Sequence, residues 1–232
     1  MINYEWNQEL LSWQEGISSS VPVVRAYDWA TSSDEPPFMA YIAIPKTGTS
    51  SIFEQLAMPK VCTSRHQTRH VPAVATLDHN HGHSLVTFIR EPLQLYCSFY
   101  IFMKWRIDNG FVGSPMQMFH ANTENVALIQ SGATLEEFLL QCPVGQFYPY
   151  FVRPLTAQDF DFIGSFERFE ESIAAFNAMF NLSLDVVHYN EGQQSSPYVV
   201  SDEVVAAFEL RQSEEYVVYN ELLLASNLLL GN

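Results

Sequence analysis

One lysine, one glycine and four hydroxyls stand together in Pro45-Lys46-Thr47-Gly48-Thr49-Ser50-Ser51. These residue types in this order suit an oxyanion. Lys46 supplies a point charge, and Thr47, Thr49, Ser50 and Ser51 supply hydroxyl donors. Gly48 lets the backbone approach closely. The apolar run from Phe38 to Ile44 precedes the turn and reads as a buried strand, which Pro45 ends. Ile52-Phe53-Glu54-Gln55-Leu56 follows with helical spacing, so a helix is expected over about 50–57. The first amides of a helix have no intrahelical acceptor, and its dipole favours negative charge at that end. A Walker A loop carries its lysine directly after the second glycine, with Ser or Thr next. Here the lysine precedes the glycine, so the loop is of another kind.

A second cationic point is Arg90. Ser84-Leu85-Val86-Thr87-Phe88-Ile89 reads as a buried strand, and Arg90-Glu91-Pro92 follows it. Ligands of α/β sheets bind at the carboxyl ends of strands. An arginine there suits an anion, because its planar fork grips phosphate by two bonds. A phosphoryl-transfer enzyme of the P-loop class would need a magnesium-binding acid instead. Between the two cationic points lie five of the seven histidines: His66, His70, His79, His81 and His83. They have no carboxylate or cysteine companion at ligand spacing, so no metal is expected. Imidazole as a general base is the stronger reading.

The elements that must position these groups can be read from periodicity. Pro92 opens a helix over about 93–106, with Leu93, Tyr96, Cys97, Tyr100 and Ile101 at helical spacings. A short strand is expected at Lys60–Thr63. A helix is expected over Pro115–Gln130. Thr134-Leu135-Glu136-Glu137 is a capping box opening a helix to about Gln141. Pro143 to Pro154 is aromatic and loop-like, its rings more suited to core than to stacking on a ligand. Phe160 to Glu167 is a third core strand, followed by a helix over about 168–180. A strand is expected at Asp185–Tyr189 and a loop at Asn190–Tyr198. Ser201 is expected to cap a helix to Leu210, and a last helix runs over about 213–226. Residues 1–37 are read as an N-terminal extension to a single domain over 1–232, with its core at about 38–225.

Composition bounds the function. The 232 residues are 47% hydrophobic and 14% aromatic, with a net charge of −15. That balance fits a folded globule and argues against nucleic acid as a partner. Seven of the eleven basic residues fall between positions 46 and 106, against three acidic ones. An acidic chain with one locally positive stretch suits a small anionic cofactor. No apolar run is long enough to span a membrane, and the N-terminus lacks the pattern of a secretory signal. Cys62, Cys97 and Cys142 have no metal-ligand spacing and read as reduced thiols of a cytoplasmic protein.

Two segments carry a family resemblance. Pro45-Lys46-Thr47-Gly48-Thr49-Ser50-Ser51 resembles the 5′-phosphosulfate loop of sulfotransferases that use 3′-phosphoadenosine 5′-phosphosulfate (PAPS). Ile89-Arg90-Glu91-Pro92, with Ser98 eight residues after the arginine and then Tyr100, resembles their 3′-phosphate segment. Glu91 stands where that segment commonly has Asp, and Leu95 where many members have a second arginine. Phe162-Ile163-Gly164-Ser165-Phe166-Glu167 and its following helix, and Glu215 with Tyr219, are further shared features. Arg153-Pro154-Leu155 is similar to a substrate-side segment. The likeness covers about 38–225 and is nearest the carbohydrate 2-O-sulfotransferase branch and its bacterial relatives.

The resemblance implies an α/β fold: a P-loop-like, three-layer domain with a central, mainly parallel sheet flanked by helices. It implies sulfuryl transfer from PAPS, leaving the bisphosphate PAP, to an acceptor hydroxyl on a glycan, glycolipid or small molecule. Lys46 would stabilise the leaving group. Thr47, Gly48, Thr49, Ser50 and Ser51 would hold the 5′-phosphate, and Arg90 and Ser98 the 3′-phosphate. His70 is the implied base, with His66, His79, His81 and His83 as rivals; the glycine usual before it is Arg69 here. Two other classes stay open: a P-loop-type nucleotide kinase or hydrolase, marked by magnesium-dependent ATP turnover, and a catalytically inactive nucleotide-binding module of the same fold.

Overall fold

Three apolar runs form strands, and the strands pair in parallel. The computed structural model describes residues 39–56, 84–110, 123–186 and 199–231. Strand β1 is Met39–Ile42, β2 is Ser84–Ile89 and β3 is Phe162–Ser165. Their order in the sheet is β1-β2-β3, with Ile42 opposite Thr87 and Thr87 opposite Ile163. Parallel neighbours need crossovers, which helices supply here. The described chain is thus mixed α/β around a small, open parallel sheet.

Alternation along the strands sends side chains to opposite faces. Val86, Phe88 and Phe162 pack with Ile52 of helix α1 (Thr49–Leu56) and with Phe169, Ile173, Phe176 and Phe180 of helix α6 (Phe169–Phe180). Phe88 is the centre of that face, with ring centroids 5.7 Å from Phe162 and 5.9 Å from Phe176. Gly164 is needed beside it, because a Cβ there would meet the Phe88 ring at 2.5 Å. Ile42, Ile89 and Ile163 face the other way, into a larger core. That core is built by helices α2 (Pro92–Asp108), α3 (Thr123–Gln130), α4 (Leu135–Gln141), α5 (Tyr148–Val152), α7 (Asp202–Arg211) and α8 (Ser213–Leu229). Both faces of the sheet are therefore covered.

Several boundaries differ from expectation. The first strand leaves the ladder after Ile42, although Ala43 and Ile44 stay buried, as the chain turns toward Pro45. The third strand is shortened to Phe162–Ser165. The segment expected to be loop-like at 143–154 contains α5, and Phe147, Tyr148 and Phe151 are core. Its helical turn forms because the Glu215 carboxylate accepts the amides of Phe147 and Tyr148 at 2.8 Å and 2.7 Å. Asp185 and Val186 are not in a strand. The expected helix at 115–130 is described only from Thr123. The capping box is present: Thr134 N–H donates to Glu137 Oε2 at 2.8 Å, and Glu137 N–H to Thr134 Oγ1 at 3.3 Å. Ser201 precedes α7, but its side chain makes no cap bond to that helix; its N–H donates to Glu136 Oε1 at 2.8 Å. The short strand at 60–63, the extension 1–37 and the loop 190–198 lie outside the described residues.

Candidate functional site

Parallel pairing brings the three strand ends to one edge of the sheet. Lys46 and Gly48 follow β1, Arg90 follows β2 and Phe166 follows β3. Lys46 lies in the left-handed region at φ 68°, and Gly48 at φ 81°. That conformation costs a non-glycine residue about 1–2 kcal/mol, and such residues gather at functional sites. Left-handed residues are also among the parts from which amide concavities for anions are built. Gly48 is constrained twice, since a Cβ would lie 2.9 Å from Phe169 Cε2 and 3.3 Å from Phe166 Cδ2. Helix α1 opens directly after it, with Ile52 N–H donating to Gly48 O at 3.3 Å. The amides of residues 49–51 therefore stand at the helix N-terminus, the end that the helix dipole makes favourable for an anion.

The hydroxyls divide. Thr47 is fully buried, and its Oγ1 donates back to Ile44 O at 2.9 Å. In this arrangement the hydroxyl braces the loop. Thr49 and Ser51 are buried at the first turn of α1.

Lys46 and Arg90 are brought together. The Arg90 guanidinium donates from Nη1 to Lys46 O at 3.2 Å and lies over the Phe166 ring at 4.3 Å. The Lys46 ammonium lies 4.2 Å from the Phe102 ring centroid on α2. Burial, and then the nearby Arg90 charge, lower the Lys46 pKa to about 8. Ser98 lies one turn before Phe102 on α2, hence on the same side of the helix, and is partly buried.

Glu91 and Leu95, the two positions that differ from the segment the sequence resembles, each have a physical reading. Glu91 caps α2, accepting from Leu93 N at 3.0 Å and Gln94 N at 2.8 Å, with Tyr216 Oη donating to it at 2.6 Å. Leu95 is fully buried in the larger core. Position 95 faces away from the site, so an arginine there would be buried among apolar side chains. Arg153, read as substrate-side, instead donates to Glu221 Oε2 and Leu155 O, both at 3.3 Å. Cys97 and Cys142 are buried free thiols whose pKa burial pushes up to about 12, which makes them poor nucleophiles. Cys62 and all the candidate bases, His66, His70, His79, His81 and His83, lie outside the described residues.

Tyr148 and Glu215 were not expected at the site. Tyr148 Oη accepts from Arg90 N–H at 2.7 Å and donates to Arg90 O. Glu215 is fully buried and accepts from Tyr148 N–H and, at 2.9 Å, from Tyr96 Oη. Burial outweighs these bonds and raises the Glu215 pKa to about 7, against an ordinary value of 4.5. The folded protein then holds more protons than the unfolded chain between pH 4.5 and 7. Stability from this group is greatest below pH 4.5 and declines as pH rises to 7. Urea unfolding of the native protein and Glu215→Gln should show a difference that changes by about 1–3 kcal/mol across that window. A constant difference would remove Glu215 as the titrating group.

No protein-family model, curated protein or solved structure matches this chain.

Proposed function

We propose that the protein is a sulfotransferase that moves a sulfuryl group from PAPS to an acceptor hydroxyl, with a glycan, glycolipid or small hydroxylated metabolite as acceptor. The observation that carries this is the pairing of Lys46 and Arg90. Two partly buried cations from adjacent parallel strand ends lie side by side, Arg90 reaching Lys46 O at 3.2 Å, and desolvation first and the Arg90 charge second depress the lysine pKa. A ligand with two separated anionic groups would relieve that repulsion. A bisphosphorylated nucleotide has this chemistry, and the donor set fits it: amides at the α1 N-terminus with Lys46 for one phosphate, Arg90 and Ser98 for the other. When bound, the donor supplies an activated sulfuryl group.

The remaining work falls to the chain's own groups. Lys46 is charged at neutral pH, since its pKa of about 8 lies above 7. Its ammonium would meet negative charge on the leaving group, and such a fixed cation in a desolvated site needs no reorganisation. Arg90 reads the second phosphate and so separates this nucleotide from ATP. His70 remains the proposed base on sequence grounds. The acidic chain disfavours a highly sulfated polymer as acceptor, because like charges repel. Among the described residues no helix is long and apolar enough to cross a membrane.

The test is calorimetric titration with adenosine 3′,5′-bisphosphate beside ADP and ATP, without magnesium. Preference for the bisphosphate by at least tenfold is the expected result. Equal affinities, or binding only of ATP with magnesium, would sink the assignment.

A further inference from the structure

The Arg90 backbone is held on both sides by a single hydroxyl. Tyr148 Oη accepts from Arg90 N–H at 2.7 Å and donates to Arg90 O, so it closes a ring across the residue. Arg90 is the first residue past β2, where ladder bonds no longer define its dihedrals. Beyond it, Glu91 N–H donates to Glu167 Oε1 at 2.7 Å, and Pro92 begins α2. The clamp therefore sits at the one residue between strand and helix cap whose side chain faces the site.

Tyr148 is itself immobilised. Its side chain is fully buried, and its ring lies 5.7 Å from that of Tyr219. Its N–H donates to Glu215 Oε2 at 2.7 Å. The other Glu215 oxygen accepts from Phe147 N–H at 2.8 Å and from Tyr96 Oη at 2.9 Å. A continuous chain of bonds thus runs from α8 through α5 to the end of β2. A buried tyrosine could have met its needs with any single partner. Here both the donor and the acceptor capacity of the hydroxyl go to one residue.

We infer that Tyr148 is a positioning residue for the proposed nucleotide site, holding Arg90 in the orientation that reads the second phosphate, with Glu215 holding Tyr148. This rests on the sulfotransferase reading of Arg90. Tyr148 touches no ligand in this role; it acts through the backbone of the residue that does. Fixing that backbone spares the guanidinium an ordering cost on binding.

The experiment compares native protein, Tyr148→Phe and Thr134→Ala. Each is titrated with adenosine 3′,5′-bisphosphate and with adenosine 5′-monophosphate, and each is melted. Tyr148→Phe should weaken bisphosphate binding about tenfold while 5′-monophosphate affinity moves less than twofold. Thr134→Ala loses a distant helix cap, so it should melt lower and keep the native selectivity. In an Arg90→Ala background the Tyr148→Phe effect should vanish. Glu215→Gln, which loosens Tyr148 without removing its hydroxyl, should shift selectivity the same way by a smaller factor and serves if Tyr148→Phe does not fold. Amide exchange at Arg90 should quicken in Tyr148→Phe. A lowered melting temperature with native selectivity in Tyr148→Phe would overturn the inference, and so would an undiminished effect without Arg90. If the native protein itself shows no preference for the bisphosphate, the sulfotransferase reading fails first and takes this inference with it. The two failures are therefore told apart by the native titration.

Discussion

Lys46→Met is expected to lose about 10²–10³-fold in turnover and to make the free protein more stable. The two effects have one cause. In the folded protein, burial and the Arg90 charge lower the lysine pKa from 10.5 to about 8. A base whose pKa falls on folding is bound by more protons in the unfolded chain between those values. At pH 7 both states are protonated, and the folded one bears the cost of the partly buried ammonium. That cost is relieved as pH rises from 8 toward 10.5. Methionine keeps an unbranched apolar stem but removes the charge that lies over the Phe102 ring. Because the lysine is partly exposed, the gain at pH 7 should be about 1–2 kcal/mol, narrowing above pH 8. Chemical denaturation at pH 7 and pH 10, beside single-turnover assays, would measure both. Native turnover in the variant removes Lys46 from the chemistry. Lower stability at pH 7 would show that the ammonium over Phe102 stabilises the loop rather than straining it.

The second large effect is on selectivity. Arg90→Ala should weaken adenosine 3′,5′-bisphosphate by about 10²-fold, as expected for charge-assisted bonds of about 1.5–3 kcal/mol. Adenosine 5′-monophosphate should be weakened far less. Some loss for both is expected, because Arg90 also bonds Lys46 O and stacks on Phe166. Arg90→Lys separates these contributions. It keeps the charge but not the planar fork, so it should fall between the native protein and the alanine variant. Parallel loss of both nucleotides in Arg90→Ala would assign the arginine to loop structure instead of phosphate recognition.

Much of the local architecture was legible because it depends on near neighbours. An apolar run ending at Pro45 reads as a short buried strand, and hydroxyls with Gly48 read as the opening of a helix. Pro92 after Arg90-Glu91 marked the start of α2, and Thr134 with Glu137 marked that of α4. These signals act over three or four residues, the range of caps and turns. The sequence also placed both cations after strands, and parallel strands put their ends on one edge.

What that order of residues by itself determined was therefore a set of strand–turn–helix units carrying Lys46 and Arg90. The tertiary structure alone decided how those units serve one another. It turned the Thr47 hydroxyl inward, buried Leu95 in the core, and set Phe102 beside the lysine. It made the aromatic stretch at 147–151 a structural wedge, because Glu215 reaches it across 67 residues of chain. It closed Tyr148 on Arg90 across 58. Hydrogen-bond partners so far apart leave no periodic trace, since their pairing depends on which helix face packs on which strand. A buried carboxylate looks like any other glutamate until the fold removes its water.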